Sequence, residues 1–253
     1  MSLAEAWRSR LPWSSLAAVL AAFGVAQFLA QVSIIEAREV QIAIVSALLR
    51  ATAVFMVVTF CLTSLSREAS DKVTELLISQ PVPRWHYLVA KLCGYGAVSV
   101  ALAAAFTLPV LALAPAGGTF AWGAALSAEL LVMVTVSVFC AVSMSQVLPA
   151  FAATSAFYLL ARSVETLRAI AHHPISDHPG WLDGLVRGCA DLIAAVMPAL
   201  DRLAPSRWLI ESPPTGHELA AVAIQALLYV GLIGLASTVD LRSEEHTSEL
   251  QSH

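Results

Sequence analysis

The side chains of this chain that could do chemistry are few, and many of them fall in one short stretch. Residues 66 to 92, called the charged window below, run SREASDKVTELLISQPVPRWHYLVAKL. Such a density of charge in an otherwise apolar chain indicates a region outside any hydrocarbon layer that meets a partner. The charged residues of the window are Arg67, Glu68, Asp71, Lys72, Glu75, Arg84 and Lys91.

A second set of polar side chains is isolated within long apolar runs. A charge in hydrocarbon without a partner costs about 2.5–3.5 kcal/mol, so pairing is expected. One interpretation is an Arg50–Glu129 ion pair that locks a helix bundle, and another is a polar patch along a substrate path. A third is that the fifth apolar segment ends near Ala161, which leaves its last charges at the interface. The whole set is Gln27, Gln31, Arg50, Glu129, Arg162 and Glu165.

Patterns typical of enzymes or metal sites are weak or missing in the sequence. It contains no HExxH, GxSxG or GxxxxGK[ST] motif, which argues against a hydrolase and against ATP binding by this chain alone. His172, His173 and His178 lie near Asp177 without a fixed ligand spacing, so we expect a solvated loop there. We also expect neither a metal nor a disulfide role for the scattered Cys61, Cys93, Cys140 and Cys189.

The composition explains why polar side chains are so few. The 253 residues are 58% hydrophobic and 13% charged, with a formal net charge of −4 and a mean hydropathy of +0.76. The negative charge argues against nucleic acid as a partner. Apolar runs of about 20 residues are long enough to cross about 30 Å of hydrocarbon. We therefore predict an all-α integral membrane protein with six transmembrane helices, near 13–34, 42–64, 92–114, 121–144, 149–170 and 218–239.

The distribution of Lys and Arg over the short connections predicts the orientation. Basic residues before the first span and in the 65–91 connection favour a cytoplasmic N-terminus. Residues 1–12 are expected to form an interfacial helix, and a signal peptide is the less favoured alternative. The outer segment 171–217 carries an amphipathic pattern over 181–203, which predicts a helix lying in, or re-entering, the outer interface.

The last residues, RSEEHTSELQSH (242–253), resemble the translated read-through of a sequencing adapter. Their polar character has no relation to the apolar segment before them. We therefore leave them out of the fold prediction and expect residues 1–241 to form a single membrane domain.

Within the charged window, the periodicity predicts two short helices. Val73, Leu76 and Leu77 recur at i, i+3 and i+4, which gives one apolar stripe. Pro81 ends that helix, and a second helix then leads into the third span. The result is a cytoplasmic amphipathic elbow over 65–91. It either docks to a soluble partner or lies in the headgroup layer.

The order of residues in the charged window resembles the cytoplasmic loop between the second and third spans of ABC-2 type transporter permeases. That family typically has Glu, a short gap, Thr-x-Glu-Leu-Leu, another gap, Pro-Val-x-Arg, and Gly-Lys before the next span. Val73 and Ala90 stand here where the family often has glycine. The matching positions are Glu68, Thr74, Glu75, Leu76, Leu77, Pro81, Val82, Arg84 and Lys91.

The resemblance implies a permease subunit of an ATP-binding cassette exporter in the bacterial cytoplasmic (inner) membrane. It implies no cofactor in this chain, because ATP and Mg²⁺ bind to separate ABC ATPase subunits, a groove of which receives this coupling loop. Leu76 and Leu77 would be the apolar anchor, and Glu75 and Arg84 would orient it. A second permease copy, or a sister permease, and the lipid bilayer are the other implied partners. A membrane scaffold without transport activity and an intramembrane enzyme stay open as alternatives.

Overall fold

The computed structural model describes residues 11–32, 37–70, 84–144, 146–172 and 181–251, and every regular element within these ranges is a helix. Two short elements, a 3₁₀ turn (Leu200–Arg202) and helix α7 (Arg207–Ile210), follow the amphipathic helix α6 (Trp181–Val196). The long helices are α1 (Leu11–Val32), α2 (Ala37–Ser70), α3 (Arg84–Leu111), α4 (Ala116–Ser143), α5 (Val147–His172) and α8 (Gly216–Gln251).

Five stretches of the described residues are long and apolar enough to cross a membrane. The prediction of an all-α protein with several membrane-spanning helices is confirmed in this form. In α1 the described apolar stretch, Trp13–Ala22, is shorter, so the sixth span remains a prediction. The five stretches are Arg38–Glu68, His86–Leu111, Ala116–Ser143, Val147–His172 and Gly216–Thr238.

Each long helix begins before its predicted span, and α2, α5 and α8 also end after theirs. Helix α2 begins at Ala37 rather than at residue 42 and continues to Ser70. Hydropathy marks only the part of a helix that lies in hydrocarbon, whereas the backbone hydrogen bonds continue into the polar flanks. Helix α8 likewise runs on through 242–251, the segment left out of the prediction. Residues 1–10 and 71–83 lie outside the described residues, so the predicted interfacial helix and most of the elbow do too.

Helix α4 is the centre of the bundle. It contacts α2, α3, α5, α7 and α8, and Trp122, Leu126, Leu130 and Met133 on it are fully buried. Lipid tails are as apolar as leucine, so helices in a membrane associate through close packing rather than through exclusion of water. The position of α4 therefore depends on how closely its neighbours can approach.

Two glycines of α4 permit the closest approaches. A Cβ atom added at Gly118 would lie 2.0 Å from the carbonyl oxygen of Trp208, and one added at Gly123 would lie 2.3 Å from Thr107 Oγ1. No such contact faces the neighbouring Gly117, where the nearest atom, Pro213 Cβ, would be 3.8 Å away. The segment carrying Trp208 thus packs directly on the α4 backbone at Gly118.

We expect Gly118→Ala to lower the free energy of unfolding by about 1–3 kcal/mol, because the new methyl group overlaps a backbone oxygen. The control Gly117→Ala has room for its methyl group, so it should be neutral or slightly stabilising. Thermal unfolding of both variants in the same detergent checks this. Equal midpoints for the two variants would contradict the packing described here.

Candidate functional sites

The first site joins α2 and α3 where the charged window begins and ends. Lys91 Nζ donates a hydrogen bond to Glu68 Oε1, and the Tyr87 hydroxyl donates to Glu68 Oε2 at 2.8 Å. The side chains of Glu68 and Lys91 are 24% and 18% exposed. This ion pair is therefore better shielded from water than a pair on an open surface, where exposure and side-chain entropy cancel most of the attraction.

Aromatic side chains support the lysine of this pair. The ammonium of Lys91 lies 5.7 Å from the ring centroid of Tyr87 and 5.5 Å from that of Tyr95, both within cation–π range. Tyr95 is itself buried, and its hydroxyl donates to Ser64 Oγ at 3.1 Å. Its ring meets Phe60 edge-on, with centroids 5.8 Å apart. The ion pair thus rests on the packed core between α2 and α3.

The structure describes three of the residues predicted to bind a partner at this site. Glu68 and Lys91 lie together, and Arg84 is the first residue of α3. The others, Thr74, Glu75, Leu76, Leu77, Pro81 and Val82, lie outside the described residues.

The second site lies within the bundle, around the middle of α4. Glu129 of α4 is fully buried, and its Oε1 atom lies 3.7 Å from Arg162 Nη1 on α5. Arg50 of α2 is also buried and lies within electrostatic reach of Glu129, but its guanidinium hydrogen-bonds to a backbone carbonyl and does not form the expected direct ion pair with that carboxylate. Neither oxygen of Glu129 accepts a hydrogen bond from the described residues. The carboxylate therefore acts on the arginines as a buried counter-charge.

Both arginines bind backbone carbonyl groups of the segment after α6. Arg50 Nη1 donates to the carbonyl oxygen of Ala204 at 2.7 Å. Arg162 Nη1 donates to the carbonyl of Leu200 and, at 3.2 Å, to that of Leu203. The Leu200 carbonyl also accepts the backbone N–H of Leu203 at 3.1 Å. The carbonyls of Leu203 and Ala204, past the end of the short turn, have no helical partner, and in apolar surroundings they need another donor. The guanidinium groups supply that donor.

The segment that these arginines hold, residues 198–210, is embedded in the bundle. Leu200, Leu203 and Leu209 are almost completely buried, and Ser206 Oγ lies 2.9 Å from Ser46 Oγ on α2. Ala204 has φ of 50°, a left-handed conformation that is unusual for a residue with a side chain. The predicted helix over 181–203 is wrong in its second part: α6 ends at Val196, because Pro198 cannot continue the helix.

The intramembrane residues predicted from sequence separate into three groups. Arg50, Glu129 and Arg162 are brought together, and Glu165 instead pairs with Arg202. Helix α5 continues unbroken to His172, and a helix can continue beyond the hydrocarbon, so the interpretation in which the fifth span ends near Ala161 stays a prediction. Gln27 is exposed on α1, and the side chain of Gln31 lies outside what the structure describes.

Sequence reasoning did not find the carbonyl acceptors at 200, 203 and 204. Backbone acceptors carry no residue-type signature. The one available signal was indirect: Pro198 and Pro205 bracket a stretch that cannot stay helical, and its freed carbonyl groups require donors.

A third, exposed cluster fixes α6 to α5. Asp191 Oδ1 lies 3.1 Å from Arg168 Nε and 3.2 Å from His172 Nε2. The hydrogen bond with His172, followed by the charges of His172 and Arg168, lowers the pKa of Asp191. The bond that the ionised carboxylate makes is therefore present at neutral pH and is lost as the pH falls through that lowered pKa. His173, Asp177 and His178 lie outside the described residues.

No protein-family model matches this chain, and no curated protein is recognisably similar to it in sequence. The charged window and the two sites described here are therefore the features from which a function can be argued.

We expect Glu129→Gln to lower the free energy of unfolding by about 3–5 kcal/mol, because it leaves the buried Arg50 and the partly buried Arg162 without their counter-charge. The matched control is Glu165→Gln, which removes a carboxylate whose partner Arg202 has a 62% exposed side chain and should cost less than about 1 kcal/mol. Unfolding in detergent, followed by tryptophan fluorescence, measures both losses. Losses of equal size would show that Glu129 does not compensate the arginines.

Proposed function

We propose that this chain is the permease subunit of an ABC-2 type ATP-binding cassette transporter and that it works as an exporter. The observation that carries the proposal is the charged window, in which the spaced sequence Glu, Thr-x-Glu-Leu-Leu, Pro-Val-x-Arg and Lys resembles the coupling loop of that family. The several apolar helices long enough to span a membrane agree with a subunit of this kind.

The helices on either side of the charged window support a coupling role. Leu76 and Leu77 would enter a groove of the ATPase, with Glu75 and Arg84 orienting them, since a few side chains buried near the centre of an interface carry most of its binding energy. Both flanking helices, α2 and α3, contact α4. Because α2 is continuous, a displacement at Glu68 would reach Arg50, about 27 Å along the helix.

ATP and Mg²⁺ would bind to the partner ATPase, and this chain would need no cofactor of its own. The proposed arrangement has six spans, a cytoplasmic N-terminus and a location in the bacterial inner membrane. Two permease chains, identical or sister subunits, would enclose the path with two ATPase subunits. In this arrangement Arg50, Glu129 and Arg162 lock each permease half together, since Glu129 pairs with Arg162 and both arginines bind carbonyls of the 200–204 segment.

We expect the full chain, solubilised in mild detergent, to copurify with the ABC ATPase encoded nearest to it. The variant Leu76→Asp/Leu77→Asp should fold but lose the ATPase, because two carboxylates would have to enter an apolar groove. The measurement is the ATPase-to-permease ratio after size-exclusion chromatography.

The matched control is Gly184→Asp/Gly188→Asp, which adds two carboxylates to α6 at positions where a side chain meets open space and should retain the ATPase. If the wild-type chain retains no ATPase, the transporter proposal fails, and a membrane scaffold becomes the better interpretation. If the wild type and the Leu76/Leu77 variant retain it equally, the charged window is not the docking element.

A further inference from the structure

We infer that Glu68 and Lys91 act on each other rather than on the ATPase, and that together with Tyr87 they form a clasp that positions the segment between α2 and α3. The inference rests on the proposed function and refines it, because the family resemblance places both residues among the partner-binding positions. The structure supports a different division of roles. The clasp positions the segment, and residues between Glu68 and Tyr87 bind the ATPase.

The first support is that both oxygens of the Glu68 carboxylate are already engaged within this chain. Oε1 accepts from Lys91, and Oε2 accepts from the Tyr87 hydroxyl at 2.8 Å. Charge-assisted hydrogen bonds of this kind fix the orientation of the carboxylate. Each oxygen can still accept a further hydrogen bond, but a partner would meet a carboxylate whose charge is already compensated by Lys91 and whose orientation is already fixed.

The second support is the environment of the lysine. Its ammonium lies 5.5 Å from the centre of the Tyr95 ring and 5.7 Å from that of Tyr87, and the side chain is 18% exposed. A lysine that reaches out to a partner extends into water. This one is folded back onto two rings and a carboxylate, which suits a structural contact.

The third support is that the clasp is fixed to rigid parts of the bundle. Leu88, one residue after Tyr87, is buried at 2% exposure, and Tyr95, one helical turn after Lys91, at 1%. On α2, Ser64 lies one turn before Glu68 and accepts the Tyr95 hydroxyl hydrogen bond. The end of α2 and the beginning of α3 are therefore held at a set separation.

A set separation at both ends of a short connection reduces the conformational freedom that docking would otherwise have to remove. Binding segments that are already constrained lose less entropy when they bind. Opening the clasp should therefore weaken ATPase retention, although no clasp residue touches the ATPase. This consequence separates a positioning residue from a contact residue.

The test is a charge swap in the full chain, with Glu68→Lys, Lys91→Glu and the double variant Glu68→Lys/Lys91→Glu. Each single variant places like charges together and should weaken ATPase retention about tenfold, the equivalent of one charged hydrogen bond. The double variant restores opposite charges and should recover most of that loss. Recovery should be incomplete, because a carboxylate at position 91 gains nothing from the faces of Tyr87 and Tyr95.

If Glu68 or Lys91 touched the ATPase directly, the double variant would present two wrong charges to it and would bind no better than the single variants. That result would overturn the inference. The matched control is the swap Arg168→Asp/Asp191→Arg at the exposed α5–α6 pair, which should leave ATPase retention unchanged.

A second measurement uses the permease without any ATPase. Thermal unfolding of the same variants in detergent forms a double-mutant cycle. The double variant should unfold at a higher temperature than the sum of the two single-variant shifts in unfolding midpoint would give. Additive shifts would overturn the clasp. If the wild type retains no ATPase, the proposed function fails, but this cycle still decides whether Glu68 and Lys91 act on each other.

Discussion

The arrangement of the bundle depends on one requirement, that backbone carbonyl groups placed in apolar surroundings find a donor. Residues 200 to 204 form a short turn in which only the Leu200 carbonyl accepts a backbone N–H, that of Leu203, so the carbonyls of Leu203 and Ala204 need donors from elsewhere. Arg50 and Arg162 satisfy them, but two arginines in a low-dielectric interior need negative charge nearby. Glu129 provides it from the centre of α4.

This requirement determines which helices must be neighbours. The two arginines come from α2 and α5, and the counter-charge comes from α4, so these three helices have to meet around the 198–210 segment. The segment in turn reaches the α4 backbone at Gly118, where the Trp208 carbonyl leaves no room for a side chain. Polar contacts thus select the arrangement, and small residues allow it to close, as is common where packing rather than water exclusion drives helix association.

The sequence predicted the features that depend on residue type. Long apolar runs predicted most of the helices, and lone charges such as Arg50 and Glu129 predicted a buried polar cluster. The ends of the helices were misplaced because hydropathy does not record hydrogen bonds beyond the hydrocarbon. The role of the arginines as donors to carbonyls was missed, because acceptors on the backbone look alike in every sequence. The contact between Glu68 and Lys91 likewise depends on how α2 and α3 approach each other, which no local pattern encodes.

The close approach at Gly118 has a genetic consequence. Defects at charged positions can be corrected by a second change, since a lost charge can be matched by altering its partner. The atom that faces Gly118 is the main-chain oxygen of residue 208. Any amino acid placed at position 208 would carry the same oxygen. No replacement of that neighbour can therefore make room for a side chain here. Suppressor screens should recover second-site revertants for damage at Glu165 or Arg202, and only true reversion at Gly118.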